Sequence, residues 1–233
     1  MRVLVIIPAY NEQECIKKVL AEVKASDFEC DYIVVNDCSK DNTKQILTEG
    51  NYNHINLPVN LGIGGGMQTG YKYARDHGYD IAVQMDGDGQ HDPKYLAALC
   101  EPIICGKADM CVGSRFIEKS GFQTSFMRRV GINFLRVLIK IFCGYRATDA
   151  TSGLRACCKS LIAYYSENYA QDYPEPEAIV SAVSAGFRVT ETPVEMRERA
   201  GGVSSIGGFK SVYYMFKVSI AIILRRFTAK KEK

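Results

Sequence analysis

Apolar residues arrive in short unbroken runs separated by stretches with a helical stripe. Val3–Ile7 is one such run, closed by Pro8, and its lack of alternation predicts a strand buried on both faces. Glu12–Val23 then carries Ile16, Val19, Leu20 and Val23 at helical spacing, with Asn11 where an N-cap belongs. Asp31–Asn36 is a second β-branched run, Ser39 and Asp41 open a second helical stretch, and His54–Leu57 is a weaker third strand. Asn60-Leu-Gly-Ile-Gly-Gly-Gly66 leads into a helix expected from Met67 to His77, and Ile81–Met85 is a fourth strand running into Asp86. Pro93 suits the first turn of a helix ending near Cys105, and Asp109–Gly113 is a fifth strand. Strand and helix alternate throughout, which predicts an α/β domain with a mostly parallel sheet flanked by helices. Its ligands should gather at strand C-termini.

The second half is less regular. Ser125–Phe142 mixes Phe126, Val130, Phe134, Leu135, Leu138, Ile139 and Phe142 with Arg128, Arg129, Arg136 and Lys140, the pattern of a basic amphipathic helix. Such a helix either rests on a membrane surface or covers the sheet while its cations reach for water. Thr148–Arg155 reads as a loop entering a strand, Glu175–Ala185 as a helix and Val189–Pro193 as a late strand. Phe209–Phe227 is the most apolar stretch, yet Lys217 and Ser219 interrupt it. Its run Val212–Leu224 would span only about 20 Å as a helix, short of a bilayer core of roughly 30 Å. Flanked by Lys210, Arg225 and Arg226, it is expected to be a C-terminal interfacial amphipathic helix, the alternative being a core or dimer helix.

Composition narrows the class. Of 233 residues, 47% are apolar and 24% charged, enough for one folded domain. A net charge of +3 gives no reason to expect a nucleic-acid partner. MRVLVIIPAYNE reads as a first strand rather than a signal peptide, and the nine cysteines include no CxxC pair. A cytoplasmic, reducing location is expected.

The sharpest chemical feature is Asp86-Gly-Asp-Gly-Gln-His-Asp92 directly after a buried strand. Clustered carboxylates repel one another unless a cation neutralises them. An EF-hand is excluded, because His91 and Ala97 stand where that loop needs glycine and glutamate. Few carboxylates in an open loop suit Mg²⁺ or Mn²⁺ shared with substrate phosphates. The glycine cluster is neither a dinucleotide fingerprint, since Met67 breaks G-x-G-x-x-G, nor a P-loop, since Tyr71 replaces the lysine. It either lets the backbone approach a ligand or forms a tight turn. Asp37, after the second strand, suits a hydrogen bond to a base or ribose, or a helix cap.

Taken together, IIPAYNEQECI, VVNDCSKDNT, NLGIGGGMQTGYKYA, QMDGDGQHDP, VGSRF, TDATSGLRA and PVEMRERAGGVSS resemble a family 2 glycosyltransferase. Within that family they resemble the branch related to dolichol-phosphate mannose synthase and bacterial polyprenyl-phosphate glycosyltransferases. The resemblance implies a GT-A fold with a Rossmann-like sheet. Residues 1–208 would be the catalytic domain, 1–118 its nucleotide-sugar half and 119–208 its acceptor half, with 209–233 a membrane-associating tail. It implies that Pro8, Tyr10, Glu12 and Asp37 hold the nucleotide, and that Asp86, Asp88 and Gln90 surround the metal and diphosphate. Arg115 would lie near the sugar or diphosphate, and Arg197 or Arg199 with Ser204 and Ser205 would close over the diphosphate. The family's usual R-x-x-G-x-S-K ending departs here, because Ile206 follows Ser205, and Lys210 is a candidate substitute.

The implied reaction moves one sugar with inversion from a nucleotide sugar, UDP-linked in this reading, to a polyprenyl phosphate. Arg128 and Arg129 suit the acceptor phosphate. A lipid phosphate is already ionised and attacks unaided, whereas a sugar hydroxyl needs a base, for which Asp149 and Glu177 are the candidates. Either may instead be structural, Asp149 by orienting the TSGLR loop and Glu177 by pairing with an arginine. The rivals are extension of a polysaccharide or lipid-linked saccharide and a non-catalytic scaffold. Attachment is expected to be peripheral, at the inner membrane face, with a homo-oligomer left open.

Overall fold

β1 (Val3–Ala9) explains why the first apolar run is continuous. Val3, Val5, Ile7 and Ala9 join the core on one face of the sheet, Leu4 and Ile6 the core on the other, and every residue of the strand is buried. The computed structural model describes residues 1–118, 126–172, 174–198, 217–220 and 222–223, and of residues 126–128 only the backbone. The other strands are β2 (Asp31–Asn36), β3 (His54–Asn56), β4 (Ile81–Gln84), β5 (Met110–Ser114), β6 (Arg155–Cys158) and β7 (Val189–Pro193). They form one seven-stranded sheet in the order β3-β2-β1-β4-β6-β5-β7. β6 runs antiparallel to both neighbours, while every other pairing is parallel. One edge of the sheet therefore collects the C-terminal ends of six strands and the N-terminal end of β6.

Helices cover both faces. α1 (Ile16–Lys24), α2 (Thr43–Glu49) and α4 (Leu96–Ile104) pack on the Val3/Val5 face. α3 (Gly62–Asp76), α5 (Phe126–Cys143), α6 (Lys159–Asn168) and α7 (Pro174–Ser184) pack on the Leu4/Ile6 face. The anticipated α/β layering with a mostly parallel sheet is present.

Three local expectations change. Asn11 is not a helix cap: its φ is +57°, its Oδ1 accepts the Lys40 N–H at 2.8 Å, and α1 starts only at Ile16. The glycine run is not a turn but the first part of α3, five residues earlier than Met67. A Cβ on Gly64 would lie 2.2 Å from the Ala170 carbonyl oxygen, and one on Gly70 would lie 2.2 Å from Ile6 Cγ2. The glycines trade helix propensity for close approach of α3 to the sheet and to the loop after α6. Pro93 opens a short 3₁₀ turn, Pro93–Tyr95, capped by Asp92 and followed by α4.

α5 covers the sheet with one face and leaves a second apolar face exposed. Ile132, Leu135 and Ile139 are buried, whereas Val130, Phe134, Val137 and Ile141 form an exposed apolar stripe on the other side. Of the C-terminal stretch 209–227, only 217–220 and 222–223 are described; they are helical, with Val218 and Ile222 buried in the core. The rest of that stretch, the tail after it and Lys210 lie outside the described residues. Among the described residues no helix is long and apolar enough to cross a membrane.

Candidate active site

The strand ends assemble the motifs. After β1, Tyr10 is exposed; Asn11 N–H donates to Ser39 Oγ at 3.0 Å and Glu12 N–H to Thr43 Oγ1 at 2.9 Å, so the β1 and β2 loops are stitched together. Asp37 at the end of β2 is buried, its N–H bonded to the Ala9 carbonyl and its Oδ1 accepting the Leu61 N–H at 2.7 Å. It thus joins β2 to the entry of α3. Pro8, inside β1, packs under the motif that follows β4: a Cβ on Gly87 would sit 3.1 Å from its carbonyl oxygen.

Asp86 follows β4 closely. Its N–H donates to His91 Nδ1 at 3.0 Å, which places the ring proton on Nε2, and His91 Nε2 lies 3.8 Å from Asp86 Oδ2. His91 is buried and turns the acidic loop back on itself. Asp88 Oδ1 accepts the Gln90 N–H at 3.0 Å, narrowing the turn further. Gly153, from the TSGLR loop, makes room for Asp86: a Cβ there would lie 2.5 Å from Asp86 Oδ2.

The donor set suits a hard divalent cation. Among the described residues no three His, Cys, Asp or Glu side chains converge, so there is no closed protein cage. Two carboxylates and Gln90 in an open turn fit Mg²⁺ or Mn²⁺, which complete their shell from substrate oxygens and water. Gly153 keeps that side of the Asp86 carboxylate free of a side chain.

Arg115, one residue past β5, is nearly buried and gripped by Asp149. Nε donates to Oδ2 at 2.6 Å, Nη2 to Oδ1 at 2.8 Å and to Thr151 Oγ1 at 2.8 Å, and the Arg115 N–H to Oδ2 at 3.3 Å. The Asp149 side chain is fully buried. Nη1 is left without a partner among the described residues. Both Asp149 oxygens are thus engaged by the guanidinium, the geometry of a group that orients Arg115. Glu177 stands half-buried in the first turn of α7.

Arg197 is held from two sides. Its Nη1 lies 2.7 Å from Glu22 Oε2 and its Nη2 2.7 Å from Asp92 Oδ2, while its backbone exchanges bonds with Gln90. Two carboxylates engage the guanidinium and tie the segment after β7 to α1 and to the acidic loop. Burial pushes the Asp92 carboxyl up, but the Lys94 N–H and Arg197 outweigh it and hold it below the usual carboxylate range. Arg199, Ser204 and Ser205 lie outside the described residues, as does the Arg128 side chain. Arg129 is described, and its guanidinium sits 5.9 Å from the Phe116 ring centroid, with Arg115 5.3 Å from the same centroid.

Sequence reasoning passed over four contributors. His91 and Gly153 lie inside the QMDGDGQHDP and TSGLR motifs, where their neighbours carry the charge. Arg155 ends the TSGLR segment, and it is fully buried. Its Nη1 donates to the Glu175 carbonyl at 3.0 Å and Nη2 to the Ser152 carbonyl, so it pins that loop to α7. Burial alone would lower its pKa, but Tyr169, Glu175 and Tyr71 outweigh it and the net shift is upward. Glu191, in β7, supports the loop carrying Asp149.

Comparison with known proteins agrees with this arrangement. The family model described as glycosyl transferase family 2 matches residues 4–166. The chain is 33% identical to a UDP-N-acetylglucosamine–dolichyl-phosphate N-acetylglucosaminyltransferase of Methanococcus voltae, covering 95% of this chain and 98% of that one. It is 30% identical to an undecaprenyl-phosphate mannosyltransferase of Micrococcus luteus, over 89% and 88% of the two chains. Among solved structures, glucosyl-3-phosphoglycerate synthase of Mycobacterium tuberculosis, in complex with Mn²⁺, UDP and phosphoglyceric acid, superposes with a TM-score of 0.74. That likeness covers 99% of this chain and 80% of that one at 19% identity, and speaks for the fold. With the strand-end motifs, the sheet order and the family match in agreement, the chain belongs to glycosyl transferase family 2 and is a glycosyltransferase of the GT-A fold.

Proposed function

We propose that the protein transfers a single sugar from a nucleotide sugar, UDP-linked, to a polyprenyl phosphate at the cytoplasmic face of the membrane, with inversion. The observation that carries this reading is the gathering of Asp37, Asp86, Asp88 and Arg115 at one sheet edge, in a chain matched end to end by a dolichyl-phosphate N-acetylglucosaminyltransferase. Pro8, Tyr10, Glu12 and Asp37 receive the nucleoside. Asp86, Asp88 and Gln90 would hold Mg²⁺ or Mn²⁺, which supplies neutralisation of the diphosphate leaving group when bound. Arg115 adds a fixed positive charge through Nη1, oriented beforehand by Asp149, and such preorganised charge contributes more than one that must reorganise during reaction.

The acceptor oxygen is ionised at neutral pH, so no general base is required, consistent with the engagement of Asp149 by Arg115. Arg129, beside Phe116 and on the exposed side of α5, is the described cation best placed to meet the acceptor phosphate. The stripe Val130, Phe134, Val137 and Ile141, with Lys140 on the same helix, suits an anionic lipid surface and would bring the site to its substrate. Inversion rests on the family resemblance.

The test is nucleotide release by the purified protein over a panel of UDP-, GDP- and dTDP-sugars, with and without undecaprenyl or dolichyl phosphate, and with a chelator control. Release that requires one donor, a divalent cation and the lipid phosphate is expected. Release that ignores the lipid but responds to a saccharide acceptor would overturn the acceptor assignment and turn attention to Glu177.

A further inference from the structure

The loop 147–151 that presents Asp149 to Arg115 is itself held from β7. Glu191 accepts the Thr148 N–H at 2.9 Å on each carboxylate oxygen, the Thr148 hydroxyl at 2.5 Å on Oε2, and the Asp149 N–H at 3.2 Å on Oε1. With the Thr148 proton committed to Glu191, the 2.5 Å contact between Ser114 Oγ and Thr148 Oγ1 has Ser114 as donor. Ser114 is the residue before Arg115 and is fully buried. Arg136 reaches in from α5 to close the loop's other end, its Nε donating to the Ala147 carbonyl at 2.9 Å.

We infer that Glu191 is a positioning residue for the glycosyl transfer: through Thr148 and Asp149 it sets the direction of the Arg115 guanidinium. This rests on the reading of Arg115 as a donor-site residue. The physical case is that both carboxylate oxygens are committed to one turn: three donors on two consecutive residues bond to Glu191, the Thr148 N–H being shared between Oε1 and Oε2. The turn is thereby fixed relative to β7, which is parallel-paired to β5 at Val112↔Glu191, and Arg115 leaves the end of that same β5. Asp149 and Arg115 are thus both referenced to the β5–β7 pair. The bidentate fork between them keeps its 2.6 and 2.8 Å geometry with no rearrangement of the loop. An uncharged or shorter residue at 191 removes the turn's hold on β7 and leaves it to the contacts from Ser114 and Arg136, so that Asp149 and with it Nη1 are aimed less tightly.

The test has a structural and a functional arm on the full chain. In ¹⁵N-labelled protein the Arg115 Nε–H signal, identified by its loss in Arg115→Lys, is expected to exchange slowly with water because the group is buried against Asp149. Glu191→Ala should accelerate that exchange about tenfold and shift the signal, with Glu191→Gln recovering part of the effect. If Glu191→Ala does not fold, Thr148→Val, which removes the shared hydroxyl from an otherwise similar side chain, carries the same expectation. In the functional arm, UDP affinity with Mn²⁺ should fall about tenfold in Glu191→Ala but not fall further when Arg115→Ala is already present. An unchanged Nε–H signal in the variants, or an equal loss of UDP affinity with and without Arg115, would overturn the inference. A wild-type protein with no affinity for UDP would instead count against the UDP donor reading, and the Nε–H signal alone would then decide the role of Glu191.

Discussion

Gly153→Ala tests the site with a single methyl group. Gly153 has no positive φ, so alanine fits its backbone, and such exchanges stabilise by about 0.4–1 kcal/mol through the unfolded chain. The added Cβ, however, would lie 2.5 Å from Asp86 Oδ2 and 3.1 Å from both Oδ1 and Cγ. Ordinary contact needs roughly 3.5 Å, so the carboxylate must retreat by about 1 Å. It can do so, because the Asp86 side chain is 35% exposed and no cation of the protein is seen holding it among the described residues. The strain is therefore relieved by moving the very oxygen proposed to hold the cation, and a 1 Å displacement of such a group costs on the order of 100-fold in rate. The assay pairs thermal unfolding with Mn²⁺-dependent nucleotide release. The expected outcome is an unchanged or slightly higher melting temperature, a raised Mn²⁺ requirement and a rate reduced by about two orders of magnitude. Full activity at the wild-type Mn²⁺ requirement would refute the reasoning, and so would a loss of activity explained by a lower melting temperature.

Three further outcomes are expected. Asp149→Ala should lower stability in urea unfolding by about 3–5 kcal/mol, because it leaves Arg115 buried and unpaired, and most of that loss should vanish in an Arg115→Met background. An equal loss in both backgrounds would mean the ion pair is not its origin. Replacing Val130, Phe134, Val137 and Ile141 by serine should weaken sedimentation with anionic vesicles while leaving the melting temperature in solution near wild type, since all four are exposed. Asp109 is held below the usual carboxylate range, chiefly by its hydrogen bond from Arg188 and then by the Arg188 backbone N–H and charge against the opposing effect of burial. A depressed carboxyl contributes stability that is complete above the unfolded value near pH 4 and is lost as pH falls through the folded value. Asp109→Asn should therefore lower the melting temperature at pH 7 and leave it unaffected near pH 2; a difference that persists in acid would contradict this.

Much of the scaffold is legible in the chain because burial on two faces leaves an unmistakable trace. Val3–Ile7 and Ile81–Met85 are apolar at every or nearly every position, and α1 shows its buried stripe of Ile16, Val19, Leu20 and Val23 openly. The start of α3 is hidden for the opposite reason. Its packing signal at Gly64 and Gly70 consists of missing side chains, which a search for apolar periodicity reads as a break. Motif residues on strand ends, such as Asp37, Asp86 and Arg115, can be located before any fold is known, since the open-sheet rule says where ligands collect. What their side chains do there cannot. Arg197 reads in the sequence as a phosphate ligand, and only the fold brings Glu22, 175 residues away, against its guanidinium. Nothing in the sequence singles out Glu191 on the late strand, because its partners, in the 147–151 loop, meet it only through the fold.

That insertion also dictates the order in which the protein can be completed as it is made. When the first five strands have emerged, β1 to β4 can already pair, but β5 has no neighbour: both of its partners, β6 and β7, are encoded later. At about 5–20 residues per second the apolar segment Met110–Ser114 waits seconds for Arg155–Cys158 to arrive, and β4 presents a bare edge for the same interval. Synthesis thus passes through an obligatory half-sheet with two unsatisfied edges, closed by a strand of four residues. Nascent chains arrested before residue 155 are the form that chaperones and proteases should find, and those extended past β7 the form that escapes them.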